Sequence, residues 1–400
     1  MSCIYLIGTA DTKGDELAYL RALIAAEFPD VLCIDLGTRE PTIPVDVSNV
    51  EIACLHPDGA DAVLQNQDRG TAVADMGTAF AAYCRDHSKD IAGIIGIGGG
   101  GGTSIVTSGM RELPYGVPKV MVSTLASGDV APYVDISDIN MFPSITDIAG
   151  LNQISRAILH NAAQALIGMV KSPYPGETDT KKAVGLSMFG VTTPSVTGIS
   201  DRLSDQFDCL VFHATGTGGR AMERLLADGL LNGLLDITTT EIADLLVGGV
   251  LPANADRLDV VAKTGLPYVG SVGALDMVNF WAPASVPERF KDRQFYHHNP
   301  NVTLMRTTPE ECVELGHWIA KKLNACQGPV RFLIPEKGIS ALDIEGGDFW
   351  DPAADTALFE ALKSRIHETE NRKLIFLPHH INDPAFSAAA ANAFLEINQD

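Results

Sequence analysis

The stretch GIIGIGGGGGTSI, residues 93–105, decides the fold. An apolar run passes into five consecutive glycines, Gly98, Gly99, Gly100, Gly101 and Gly102, and Thr103 and Ser104 then open a helical pattern. A strand that turns on glycine into a helix is the building unit of a sheet covered on both faces. The rest of the first half repeats that unit. Cys3 to Gly8, Val31 to Leu36 and Val117 to Ser123 are continuous apolar runs that predict parallel strands, and helical spacing predicts helices over 15–28, 72–85, 103–112 and 148–170. KSPYPGETDTKK, residues 171–182, holds prolines, a glycine and charges with nothing to bury, and reads as a linker. Beyond it, runs at 183–188, 210–213, 260–262, 268–271, 332–334 and 374–377 predict a second set of strands. The expected architecture is α/β: two Rossmann-like, doubly wound domains with mainly parallel sheets, over residues 1–175 and 183–400. A chain of 400 residues fits two domains, since single cores stop growing at roughly 250–300 residues. Residues 282–301, with His297 and His298, fit neither pattern and read as an arm against the other domain or a second subunit.

Composition removes several function classes. Hydrophobic residues at 46% and charged residues at 20% are ordinary globular values, which argues against a disordered chain. The seven cysteines are scattered singly without a Cys-x-x-Cys pair, which excludes a disulfide framework and a thiolate zinc site. A net charge of −21 leaves no broad basic footprint for nucleic acid or an anionic membrane surface. No apolar run approaches the ~20 residues that cross a bilayer, and MSCIYLIGTADTK lacks a basic leader, so the expected location is cytoplasmic. An anionic ligand must therefore be gripped by backbone donors and a few cations.

The glycine run supplies such donors. Residues without Cβ let N–H groups converge on an oxyanion, and the unpaired amides of a helix start add partial positive charge. Its spacing matches the dinucleotide pattern only as any five glycines would, it follows a late strand, and no Lys-Ser/Thr pair makes it a P-loop. A tightly packed turn without ligand is the plain alternative. HATGTGGRAMERLL, residues 213–226, reads as a second copy, with Thr215, Gly216, Gly218 and Gly219 as the turn. Arg220 is there a cation for phosphate, or else one half of a surface ion pair. GTADTKGDE, residues 8–16, lies past the first strand, where open sheets place ligands. Thr9 and Thr12 offer hydroxyls, Lys13 a charge and Asp11 a ligand for Mg²⁺ or a ribose hydroxyl, against helix capping by Asp11 or Thr12. Residues 123–150 form a long polar loop of the functional kind. PEKGISALDIEGGDFWDPAAD, residues 335–355, and LPHHINDPAF, residues 377–386, both follow strands, and His379, His380 and Asp383 are candidates for proton transfer or metal binding.

Taken in order, GTADTKGDE, GIGGGGGTSI, GTGGRAMERL, YHHNPNVTLMRTT (296–308), PEKGISALDIEGGDFWDPAAD and HHINDPAF resemble the signatures of the tomato mosaic virus resistance protein family over essentially the whole chain. The resemblance implies two Rossmann-like domains, ATP binding and a homodimer. In the plant proteins a TIM barrel follows, so it also implies a separate TIM-barrel partner here. The expected function is that of a nucleotide (ATP)-binding protein whose glycine turns hold the ligand at a domain cleft, with Mg²⁺ on Asp11. One alternative is a hydrolase or lyase on a small phosphorylated or carboxylated metabolite, with His379 or Asp383 as base. Another is a non-catalytic interaction module with a structural nucleotide.

Overall fold

The computed structural model describes residues 2–175 and 181–398. The chain divides into two compact units, Met1–Gly176 and Glu177–Asp400. Of the expected linker 171–182, residues 176–180 lie outside the described residues; on either side, a helix ends at Lys171 and a strand begins at Lys182. In chain order the strands are β1 (Cys3–Gly8), β2 (Val31–Asp35), β3 (Ile91–Gly98), β4 (Lys119–Ser123), β5 (Asn140–Pro143), β6 (Lys182–Met188), β7 (Phe207–His213), β8 (Leu234–Thr238), β9 (Tyr268–Gly273), β10 (Met277–Phe280), β11 (Phe295–Asn299), β12 (Val302–Arg306), β13 (Val330–Pro335) and β14 (Arg372–Leu377).

The first unit has one parallel sheet in the order β2-β1-β3-β4-β5. The second has a parallel sheet in the order β14-β13-β9-β8-β6-β7. Both begin alike: the first strand lies inside, the second flanks it, and the third crosses to its other side. The chain thus reverses direction across the sheet between β1 and β3, and again between β6 and β8. At such a switch point two loops part at the carboxyl ends of the strands, and open α/β sheets take ligands there.

Burial on both faces explains the unbroken apolar strands. Ile4 and Leu6 enter one core while their neighbours Tyr5 and Ile7 enter the other, and all four are buried. In the second unit Val184, Leu235 and Val269 face one core and Leu234, Tyr268 and Phe332 the opposite one.

Four readings of the sequence are corrected. Residues 260–262 belong to a helix, Asp259–Thr264, not a strand. The long loop 123–150 contains β5 and a short helix, Ala131–Val134. Residues 282–301 lead into an antiparallel sheet of order β10-β12-β11, where His297 and His298 are exposed on β11. The helix after the glycine run starts at Gly100, not Thr103, so three of the glycines are its first turn. Among the described residues no helix is long and apolar enough to cross a membrane.

Candidate functional site

β1 and β3 are neighbours, with Ile7 opposite Gly96, so the loops Thr9–Lys13 and Gly98–Gly102 open side by side at the first switch point. Two elements distant in sequence are thereby brought together. Gly98 is glycine because the fold demands it: a Cβ there would lie 2.8 Å from the Gly102 carbonyl carbon and from the Thr103 nitrogen. The next glycines differ. Gly100, Gly101 and Gly102 begin the helix Gly100–Met110, whose N-cap, Gly99, offers no side-chain cap. First-turn N–H groups have no intrahelical acceptor, and among the described residues no protein oxygen accepts from these three. A Cβ at Gly100 would meet nothing nearer than Leu125 Cδ1 at 3.5 Å, at Gly101 Val73 Cγ2 at 3.4 Å, and at Gly102 the Ile97 oxygen at 3.6 Å. None of the three has a positive φ. Glycine costs a helix up to ~1 kcal/mol per residue against alanine, and neither packing nor backbone geometry here asks for it. The glycines leave a bare amide surface at the positive end of the helix dipole.

The Thr103 side chain turns inward. It is buried, and its hydroxyl lies 2.6 Å from the Ser123 hydroxyl, latching the helix to β4.

The loop after β1 is held by its own backbone: the Thr9 carbonyl accepts from the N–H groups of Thr12 at 3.1 Å and Lys13 at 2.8 Å. The Thr9 and Thr12 hydroxyls lie 2.8 Å apart and are accessible. Neither Thr12 nor Asp11 caps the following helix, whose N-cap is Lys13 without a side-chain bond. Lys13 Nζ donates to the Ile148 carbonyl, and Glu16 Oε1 accepts from Gly150 N–H at 2.7 Å, so the loop after β5 is tied to the same edge.

Asp35, at the end of β2, was not read from the sequence, although an acid closing an apolar strand on the ligand edge was its visible signal. Its Oδ1 accepts from Ala10 and Gly37 N–H, each at 2.8 Å. Burial pushes its pKa up, against those two bonds, and Asp11 adds to the rise. A Cβ on Gly37 would lie 2.8 Å from Asp11 Oδ1 and 3.0 Å from Asp35 Oδ1, so both carboxylates flank one point. Asp11 Oδ1 and Asp35 Oδ2 are buried without a hydrogen-bond partner.

The second glycine turn is not a copy of the first. It follows β7, an edge strand, not the strand at the switch point. It is also filled by the protein: Gly216 N–H donates to Glu241 Oε2 at 2.8 Å, and a Cβ on Gly219 would sit 1.8 Å from Glu241 Oε1. Gly218 is pressed on the His213 carbonyl in the same way, at 1.8 Å. The anion that meets this turn is Glu241, which takes the Gly216 N–H and the space beside Gly219. Thr215 Oγ1 turns to the His213 carbonyl at 3.3 Å, and Arg220 Nε to the Gly216 carbonyl at 3.4 Å. Behind the turn lies Arg257, fully buried, with Nε 2.6 Å from Glu241, Nη1 2.6 Å from Glu223 and Nη2 2.8 Å from Asp236. Burial raises the Glu223 pKa in spite of that arginine.

HHINDP is equally architectural. Asp383 Oδ2 accepts from His380 N–H at 2.9 Å, and the His380 ring is used at both nitrogens, by the Ser340 carbonyl and by Asn382 N–H. Asn382 reaches back to the Val191 carbonyl and to Ser195 N–H. His379 and Asp383 share no bond among the described residues, and Asp383 is engaged by the His380 N–H. The 335–355 segment instead builds a buried ion cluster. Arg306 Nη2 lies 2.8 Å from Asp355 and 3.7 Å from Asp343. Asp276 accepts from Ser340 Oγ at 2.7 Å. Burial and the neighbouring Asp343 push Asp276 up to about 7 and Asp355 up to about 8.

Residues 2–175 match the profile described as Uncharacterised protein family (UPF0261) N-terminal domain, and residues 181–398 match the C-terminal domain of that family. A UPF0261 protein of Rhizobium meliloti (strain 1021) is 62% identical over 397 residues, covering 99% of each chain. ToMV resistance protein Tm-1(GCR237) of Solanum lycopersicum is 41% identical over 419 residues, 99% of this chain and 56% of its own. Among solved structures, UDP-N-acetylglucosamine 2-epimerase from Rickettsia bellii is similar over 99% of this chain and 96% of its own. Its identity is 9% and its TM-score 0.23, a likeness too slight to bear on function.

Proposed function

The chain belongs to the UPF0261 family, and from that premise we propose that its first unit binds a nucleotide of the ATP type at the β1/β3 switch point. One observation carries the reading: three glycines begin a helix where neither packing nor φ requires them, and their N–H groups have no protein acceptor among the described residues. Phosphate oxygens suit that surface, because the amides are preorganised and uncapped. The choice of ATP rests on the resemblance to the tomato family. A mononucleotide also suits the geometry better than a dinucleotide, whose glycine turn would follow the first strand of its sheet and not the third. Exposed Leu125, beside Gly100, offers apolar surface to a base.

Mg²⁺ fits the neighbouring acids. Asp11 and Asp35 each carry a buried oxygen without a partner, and oxygen is the ligand this cation takes. These two residues would hold it, and its charge would offset that of the phosphates. Thr9 and Thr12 present hydroxyls to the same edge, while Lys13 fastens the loop after β5 through Ile148. Together they position the ligand.

Equilibrium titration with ATP, ADP and NAD, with and without Mg²⁺, tests the reading. ATP should saturate the native chain, NAD should bind more weakly, and Gly100→Val should weaken ATP at least about tenfold, roughly 1.4 kcal/mol. Its melting temperature should hold, since a Cβ at this position meets nothing closer than ordinary van der Waals distance and the φ is not positive. Equal ATP affinity in that variant would remove the glycine turn from the site.

A further inference from the structure

The helix Pro352–Arg365 repeats cavity-lining residues at 352, 355, 356, 359, 360 and 363, a stripe on one face of a helix. That face, with Trp350 before it, Glu336 after β13 and Phe376 on the edge strand β14, encloses a cavity of about 330 Å³. It lies wholly in the second unit and uses none of the residues assigned above to nucleotide.

The lining combines two chemistries. Trp350, Phe359 and Phe376 supply aromatic surface, and Glu336, Asp355 and Glu360 supply carboxyl groups. Lys363 is the cation of the lining, and it is engaged: Nζ lies 3.4 Å from Glu360 Oε1 and 5.8 Å from the centroid of Phe376. Asp355 is buried, and behind it Arg306 is shared with Asp343 and Asp276. Asp276 Oδ1 and Asp343 Oδ1 are buried without a hydrogen-bond partner. At the mouth two carboxylates, Glu336 and Glu360, face one lysine, while at the floor Asp355 is already answered by Arg306. An anion would meet Glu336 and Glu360 at the mouth.

We propose that this cavity binds a small organic cation, an amine or alkylammonium group, with its charge against Glu336 and Glu360 and its carbon skeleton against Trp350, Phe359 and Phe376. Aromatic faces attract such cations through the ring quadrupole, and carboxylates add charge-assisted hydrogen bonds to a protonated amine.

The full chain titrated with n-butylammonium and tetramethylammonium chloride, against n-butanol, butyrate and MgCl₂, tests the assignment by tryptophan fluorescence and calorimetry. Both ammonium ions should give saturable binding, with butanol and butyrate at least about tenfold weaker and Mg²⁺ unable to compete. Glu336→Gln combined with Glu360→Gln should weaken ammonium binding about tenfold. Both residues are exposed, so the melting temperature and the response to ATP should stay unchanged. Trp350→Phe should abolish the fluorescence response while calorimetric binding remains. Butyrate or Mg²⁺ binding as well as the ammonium ions would overturn the assignment, as would full affinity in the double variant. Loss of ATP binding in the native chain would leave it standing.

Discussion

Arg257 faces Glu223, Asp236 and Glu241 with a single positive charge, and all its partners lie within 2.9 Å. Replacing such an arginine removes no large apolar surface. It leaves three carboxylates in a buried site with, among the described residues, the Gly216, Leu258, Ser187 and Tyr268 donors to answer them. Breaking a buried ion cluster by deleting one partner typically costs roughly 3–5 kcal/mol. Arg257→Met should therefore lower unfolding free energy by about that amount, measured by denaturant titration of the second unit's transition. A loss below about 1 kcal/mol would mean that the carboxylates are held mainly by backbone and hydroxyl donors. Glycine, too, is read correctly only against its neighbours. At Gly219 a Cβ would collide with Glu241, while at Gly100 it would meet ordinary van der Waals distances, although both stand in glycine-rich segments that lead from a strand into a helix. The partner that decides the matter, Glu241, is 25 residues from Gly216, and no local pattern could disclose it.

At the scale of the element, the helix Gly100–Met110 sets stability against binding. Its glycine start forgoes helix propensity in return for open amides. Gly101→Ala and Gly102→Ala should each stabilise the first unit, by up to roughly 0.5–1 kcal/mol, because both positions have room and neither has a positive φ. The same changes should weaken nucleotide binding, since a methyl group then stands over the amides. Thermal melting and titration of one protein preparation check both halves. A double variant that is less stable than the native chain would mean that the glycines serve packing after all. Elements of this kind were legible where burial is uniform. β1, β3 and β4 read as strands because apolar side chains face both ways, and the glycine run marked the end of β3. β8 is not legible in the sequence because Asp236 and Thr238 interrupt its apolar run, and both are buried by polar partners that the sequence brings from elsewhere, Arg257 and Ser187. Residues 260–262 misled for the converse reason: a three-residue apolar run has no period, and here it is the inward side of a short helix. The site followed the same rule. Its glycines and the Thr9–Lys13 loop were visible, whereas Asp35 read as the end of a strand, and Thr103 gave no hint that Ser123 would take its hydroxyl.

For the whole molecule, buried acids decide how stability depends on pH. Asp244 and Asp276 are pushed up to about 7 and Asp355 up to about 8, burial being the first cause in each. Asp35 and Glu223 are raised as well. In an unfolded chain such groups titrate near pH 4. Between that value and about pH 8 the folded state therefore holds protons that the unfolded state has released, and stability falls as pH rises through the window. Carboxylates lowered by exposed partners, such as Glu27 and Glu51, work the other way, but their stabilisation is lost only as pH falls below the ordinary carboxylate range. The surface adds a term of the same sign: with a net charge of −21, approach to neutrality at lower pH relieves self-repulsion. Salt separates the two, since at about 1 M the Debye length is near 3 Å and surface repulsion is screened while buried groups are hardly touched. The melting temperature should fall steadily from about pH 5 to about pH 9, and the fall should persist at about 1 M NaCl. A profile that flattens in salt would assign the whole effect to surface charge and leave the buried aspartates ionised throughout.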